Sequence, residues 1–269
     1  MAPQNSPQRV TLAKARALML ASVPEMGIEY VAVEAAFGRV IAEPVFARLP
    51  SPHYRASAMD GIAVRAADTL RSADGTAVTL AVFDGPGSPG PEPACRVVDT
   101  GNAIPEWADA VVRVEDALST AHGYEVRAPV APGRDIRNIG EDVVAGALLL
   151  GVGRTVRAVD VGGMLATGVT CVAVRKQPRI TVLATGAEVI EPLGESEIPR
   201  PGQVIEFNSR VLAACASEWG ATVTYAGRAR DDATELAARM RREIEHCDVL
   251  CVIAGSSAGR KDVTITALQ

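Results

Sequence analysis

From Arg179 onward the chain alternates short apolar runs with amphipathic ones, and this alternation constrains the fold more than any other feature. "RITVLATG" (179–186) reads as a buried strand ending in Thr-Gly. "EFNSRVLAACASEWG" (206–220) reads as an amphipathic helix with Asn208 or Ser209 as N-cap and Gly220 as C-cap. "ATVTYAG" (221–227) is a strand, "DDATELAARMRREIEHC" (231–247) a helix opened by acids, and "DVLCVIAGSSAG" (248–259) a second buried strand running into a Gly/Ser loop. Strand and helix taking turns predict a parallel α/β sheet. In such sheets ligands sit beyond the carboxyl ends of the strands, here Thr185-Gly186 and Gly255 to Ser257. Three strands and little more than two helices make a small domain of this type, so a partner or further chain is expected to complete it.

Between Met59 and Arg137 the pattern is different. "GIAVRA", "TAVTLAVF", "CRVVDT", "AVVRVED" and "YEVRAPV" are short apolar runs, punctuated by "GPGSPGPEP" and "APGRD". That spacing predicts a β-rich domain, a small barrel in outline. Upstream, residues 9–22 carry apolar residues at helical spacing with Thr11 as N-cap. Residues 31–45 read as a short strand, a brief helix and an extended exit. Residues 140–175 return to mixed helix and strand, and Lys176-Gln177-Pro178 reads as a linker. Aromatics are only 4% of the 269 residues, so the core must come from Val, Ala, Leu and Ile.

A net charge of -5 without a Lys/Arg stripe argues against nucleic acid as partner. The apolar runs are too short to cross a membrane, and "MAPQNSPQRV" has no signal-peptide character. Five cysteines form no Cys-x-x-Cys pair, and the three histidines are scattered among them. Neither zinc nor a disulfide framework is expected; Cys247 and Cys251 read as buried thiols in a reducing, cytoplasmic setting.

The stretch "SPHYRASAMDGIAVRAADT" (51–69) sets Asp60 between Met59 and Gly61. Taken alone, Asp-Gly before a strand reads as a hairpin corner. Yet acids recur where apolar strands end: Asp60, Glu188, Asp231 with Asp232, and Asp262. Carboxylates near backbone amides at such places could hold Mg²⁺ beside a phosphate. Asp231, Asp232 and Asp262 read equally well as helix caps. "GSSAG" offers amides and two hydroxyls as a phosphate cradle, with Arg260 and Lys261 adjacent. Thr100 ends another apolar run, and Asn102 is placed to cap a turn. No Ser-His-Asp, Cys-His or zinc-hydrolase arrangement is present.

Together these segments resemble the molybdopterin molybdenumtransferase family, which includes the E domain of gephyrin. The resemblance runs through "SAMDGIAV" (57–64), "TGNAIPEWADAVVRVED" (100–116) and "GRDIRNIGEDVVAGALLL" (133–150). It continues through "PRITVLATGAEVI", "VIEFNSRVL", "RDDATEL" and "GSSAG", in family order. It implies a helical/mixed domain from 1–50 and 141–177, a barrel-like β-rich domain inserted at 51–140, and an incomplete parallel α/β, molybdopterin-binding-like domain at 178–269. It also implies transfer of molybdenum from molybdate to adenylylated molybdopterin, with Mg²⁺-dependent hydrolysis of the adenylate and release of AMP. The implied catalytic residues are Asp60, Thr100, Glu188, Asp231 and Asp262, the four carboxylates among them being the Mg²⁺ ligands. Thr185, Gly186, Asn208, Gly255, Ser256, Ser257 and Gly259 are the implied pterin-binding residues. The resemblance further implies a homodimer, with the SAMDG segment of one subunit facing the α/β domain of the other, and contact with the adenylylating enzyme of the pathway. The chain departs from the family at Ala187, where Asp is usual, at Trp107, where Gly is usual, and at Arg260, where an acid is usual. These departures, with the family's further C-terminal segments missing after Gln269, leave a non-catalytic pterin- or molybdate-binding protein as the alternative.

Overall fold

A computed structural model describes residues 10–195, 197–253 and 264–268. The chain divides into two compact units. One comprises Ala32–Phe37 with Glu43–Val172; the other comprises the described residues of Met1–Val31, Gly38–Ala42 and Ala173–Gln269.

The first unit is organised by a six-stranded sheet. In spatial order its strands are Ala110–Arg113, Gly61–Val64, Ala94–Val98, Val78–Val82, Gly123–Val126 and Ala117–Thr120. Every neighbouring pair is antiparallel except Val78–Val82 with Ala94–Val98. The two outermost strands are joined by the short 3₁₀ turn Val114–Asp116. Five inter-strand spacings in a flat sheet would separate them by about 24 Å, whereas that link reaches about 14 Å. The sheet therefore has to curl, which accounts for the barrel-like form expected from the turn-rich pattern. Period-two alternation then gives two cores. Ile62, Val64, Leu80, Cys95, Val112 and Val126 pack on one face, and Ala63, Val98, Ile104, Val111 and Ile136 on the other. Each buried aliphatic side chain contributes about 1.5–3 kcal/mol. Burial pushes the Cys95 thiol up to about 12. Trp107 packs against the second core, its ring in a T-shaped arrangement with Phe83 (6.3 Å between centroids).

Asp60-Gly61 is not a hairpin corner. Ala56–Ser57 before it pairs with Ile136–Arg137, while Gly61–Val64 after it pairs with Ala94–Val98 and Ala110–Arg113. The dipeptide thus carries the chain from one sheet to another. Glycine is required at 61 by a close backbone approach: a Cβ there would stand 2.1 Å from the Val112 carbonyl oxygen.

In the second unit, Arg179–Thr185 is the central strand of a parallel sheet, flanked by Thr222–Ala229 and Val249–Ile253. The helices Asn208–Glu218 and Ala233–Ile244 make the crossovers that parallel pairing requires. Residues Val182 to Thr185 are fully buried. The first of these helices starts one residue earlier than its capping signal suggests. Neither Asn208 nor Ser209 caps it; Phe207 holds the cap position without a side-chain bond. The buried carboxylate of Glu206 does the work instead, accepting from the amide (2.8 Å) and the hydroxyl of Ser209. The cap at its other end is Trp219, with Gly220 beyond it at φ 88°. Asp232 does cap the second helix, accepting from the Glu235 amide at 2.8 Å. Cys247 is buried and Cys251 half-buried. The helix Leu12–Ser22 forms behind its Thr11 cap and buries none of its residues. Among the described residues no helix is long and apolar enough to cross a membrane.

Gly61→Ala is expected to destabilise the protein by at least about 2 kcal/mol, because backbone rather than a yielding side chain opposes the new methyl. Urea titration followed by circular dichroism measures it, with Ala63→Gly on the same strand as a substitution that adds no volume.

Candidate functional site

In the first unit the structure brings Asp60 and Thr100 together. The Thr100 amide (2.6 Å) and hydroxyl (2.8 Å) both donate to Oδ1 of Asp60. The strand register explains the meeting. Gly61 pairs with Val98 in an antiparallel ladder, so the chain on either side of that rung runs on as Asp60 and as Asp99-Thr100. The Asp60 carbonyl accepts from Val114, fixing the segment from the other side (3.0 Å). These two donors, the amide first, hold the Asp60 carboxyl below the usual carboxylate range although it is exposed. Among the described residues, Oδ2 of Asp60 has no hydrogen-bond partner.

The turn that presents Thr100 is pinned on several sides. Gly101 adopts φ 88° and donates to Ser57 O, while Ser57 donates to Asn102 O. Asn102 Oδ1 accepts from the Asp99 amide (3.1 Å), the turn cap its position suggested. Tyr54 donates its hydroxyl proton to Gly101 O (2.9 Å). Below it, Asp135 at φ 52° accepts from the Ala58 amide through its carbonyl and grips Arg113 through both carboxylate oxygens, each at 2.9 Å. The Arg113 hydrogen bonds hold the Asp135 carboxyl below its ordinary value, with Arg134 adding to the effect. Tyr54, Ser57, Arg113 and Asp135 carried no sequence signal beyond their place in the quoted motifs. A cavity of about 100 Å³ lies beside this pair, lined by Asp60, Ile62, Val97, Asp99, Val114 and Tyr124 among others. It is far below the volume of a nucleotide or pterin site, so a large substrate would meet Asp60 from outside it.

In the second unit the residues at the sheet's carboxyl end gather around one loop. Thr185 is buried and its hydroxyl donates to Ile253 O (3.0 Å), which ties two strands together. Gly186 turns the chain at φ 126°; a Cβ there would lie 2.8 Å from Val189 and 3.2 Å from Oε1 of Glu188. The Ala187 amide donates to Oδ2 of Asp231 (2.9 Å), bridging the ends of the first two strands. The two adjacent acids therefore divide: Asp232 is a helix cap and Asp231 faces the loop that carries Glu188. Asn208 stands exposed as the first residue of its helix. Gly255, Ser256, Ser257, Gly259 and Asp262 lie outside the described residues. Among the described residues no three His, Cys, Asp or Glu side chains converge as a metal cage.

A family model described as the MoeA N-terminal region, domains I and II, matches residues 10–168. A second, described as a probable molybdopterin binding domain, matches residues 181–269. Over 233 residues the chain is 34% identical to molybdopterin molybdenumtransferase 2 of Mycobacterium tuberculosis strain H37Rv, covering 84% of this chain and 56% of that one. Over 246 residues it is 32% identical to the molybdopterin molybdenumtransferase of Bacillus subtilis strain 168, covering 87% and 56%. The chain thus spans a little over half the length of these curated relatives. A crystal structure of the molybdopterin biosynthesis MoeA protein of Pyrococcus horikoshii OT3 is similar with a TM-score of 0.76 and 28% identity, over 91% of this chain and 66% of that one.

Thr100→Val keeps the amide donor and the side-chain volume but removes the hydroxyl. It is expected to raise the Asp60 pKa toward its ordinary value, read from side-chain carboxyl carbon shifts in a pH titration by NMR. The sign follows from the lowering: the stabilisation that Thr100 gives through Asp60 is present above the ordinary carboxylate pKa and is lost as pH falls through the folded value. The variant narrows that acid window.

Proposed function

This chain belongs to the MoeA family, and on that footing we propose that it takes part in molybdenum cofactor biosynthesis as a molybdopterin molybdenumtransferase. In this reading it acts on adenylylated molybdopterin and molybdate: water cleaves the phosphoanhydride and AMP leaves, and the two dithiolene sulfurs bind molybdenum in place of an oxo group, which leaves as water with the two thiol protons. The observation that carries the reading is the Asp60–Thr100 pair, in which two donors converge on one carboxylate oxygen and leave the other without a partner among the described residues.

The donor chemistry fits Mg²⁺, which prefers oxygen ligands and is held by one or two carboxylates together with waters and substrate phosphates. Asp60 is the proposed ligand in the first unit; in the second unit the proposed ligands are Glu188, Asp231 and, by family position, Asp262. When bound, Mg²⁺ would neutralise phosphate charge. Thr100 aims the Asp60 carboxylate through its amide and hydroxyl, and the lone pairs of its hydroxyl oxygen remain open to a substrate donor. Gly186 allows the sharp turn that brings Glu188 back over the strand end, and Asp231 fixes that turn through Ala187. Thr185, Asn208 and the segment with Gly255, Ser256, Ser257 and Gly259 are the proposed pterin contacts.

Homodimerisation, a cytoplasmic location and contact with the adenylylating enzyme belong to the same reading. Support for self-association comes from the helix Leu12–Ser22, whose Leu12, Leu18, Met19 and Leu20 are all more than half exposed. Sedimentation velocity is expected to show a dimer that dissociates in the Leu18→Glu, Met19→Glu variant. A second reading, pterin binding without hydrolysis, draws on Ala187, which supplies a backbone amide where the family usually supplies a carboxylate.

AMP release from adenylylated molybdopterin, with Mg²⁺ and molybdate, separates the two. Asp60→Asn is expected to lower release by about 100-fold or more while leaving the thermal transition in place. Release unaffected by that substitution refutes the first reading. Pterin binding without any release supports the second.

A further inference from the structure

The segment that carries Glu188 leads into a short ladder none of whose four residues is buried. Val189–Ile190 pairs with Val204–Ile205 as a two-rung parallel ladder, closed by the long loop 191–203. Val204 and Ile205 are 50% and 37% exposed. So short a ladder does not hold itself together in water. Its register also matters for the site, because the Val204 amide donates to Glu188 O (2.9 Å) and the Glu206 amide to Ile190 O (2.8 Å).

One guanidinium gathers the groups around this ladder. Arg210, in the first turn of the Asn208–Glu218 helix, donates to Glu191 (3.1 Å) just past one strand and to the Ser209 hydroxyl (2.8 Å). It also pairs with the buried Glu206 just past the other strand (3.6 Å). Its plane lies over the Tyr225 ring, 4.0 Å from the centroid, and the Tyr225 hydroxyl donates to the same Glu191 (2.7 Å). Arg210 therefore holds the exits of both ladder strands against a helix and an edge strand of the main sheet. Arg228 contributes one further bond, to Val189 O. A planar, multi-donor cation can bridge two carboxylates and a ring at once, which the point charge of lysine cannot do.

We propose that Arg210 is the positioning residue for Glu188: it fixes the ladder from which Glu188 is presented. The inference rests on the functional reading above only for the role given to Glu188. Arg210 touches no proposed substrate and acts through the ladder.

The test uses the whole chain with Arg210→Met and Arg210→Lys. By amide hydrogen exchange followed by NMR, Val204 and Glu206 are expected to exchange at least about tenfold faster in Arg210→Met, and Leu183 in the central strand at an unchanged rate. Arg210→Lys, which keeps charge but not the planar donors, is expected to restore little of the protection. Unchanged exchange at Val204 and Glu206 in Arg210→Met overturns the proposal. A kinetic cycle supplies the second reading. Arg210→Met is expected to lower kcat for AMP release about tenfold with KM within about twofold, and to cost almost nothing further in a Glu188→Gln background. Equal losses in both backgrounds would mean a merely structural role and would also overturn it. Where the parent chain releases no AMP, the functional reading fails, and exchange alone decides for or against the ladder.

Discussion

The first unit depends on a backbone contact at Gly61, where the strand Gly61–Val64 lies between two neighbours with no room for a side chain on the Val112 side. That contact allows the strand to be buried on both faces, and both cores of the unit are built on it. It also fixes where the ladder ends. One residue before Gly61 the chain leaves the ladder to Ala94–Val98, its Asp60 carbonyl held by the Val114 amide, and there Asp60 meets the turn that carries Thr100. The proposed chemical pair is thus a consequence of register: shifting the strand by one residue would turn every side chain to the other face and part Asp60 from Thr100.

The two units position their acids by different physics. Around Asp60 the scaffold is a packed sheet, and the carboxylate needs only local donors to fix it. Around Glu188 few of the described residues are buried apolar ones, and hydrogen bonds and ion pairs take over: Asp231 to Ala187, Arg210 to Glu191 and Glu206, Arg228 to Val189. Networks of this kind are directional, so they hold a loop in one geometry where packing alone would tolerate several. They are also only as good as their weakest member, which makes the Glu188 loop the more sensitive of the two to a single substitution.

Charge separates two acids within the first unit. The acids Asp60 and Asp135 are held low by donors from opposite sides of the SAMDG segment, Thr100 for one and Arg113 for the other. Both are ionised at neutral pH, but Asp135 spends its charge on Arg113, whereas Asp60 receives only a neutral amide and a hydroxyl. Its negative charge remains uncompensated among the described residues, which is the state a carboxylate needs in order to attract a cation.

Much of this was legible in the residues themselves. The alternation after Arg179 gave the parallel sheet, the turn-separated runs gave the β-rich unit, and Thr11 and Asp232 marked their helices, because periodicity and capping are local physics. The hairpin reading of Asp60-Gly61 failed because Asp-Gly describes a turn and cannot report that the two flanking strands belong to different sheets. The cap expected at Asn208 or Ser209 passed to Glu206, since a buried carboxylate two residues ahead of Asn208 offered Ser209 a stronger acceptor than either side chain could supply. Nothing local announced Tyr54, Asp135 or Arg210, whose partners include Gly101 for the first, Arg113 for the second, and Glu191 and Tyr225 for the third, 47, 22, 19 and 15 residues away in turn. The sequence alone determined which segments become strands and helices and which acids end them. Only the tertiary structure decided which acid faces which donor, because strand register and cross-chain hydrogen bonds exist only once distant segments have packed together.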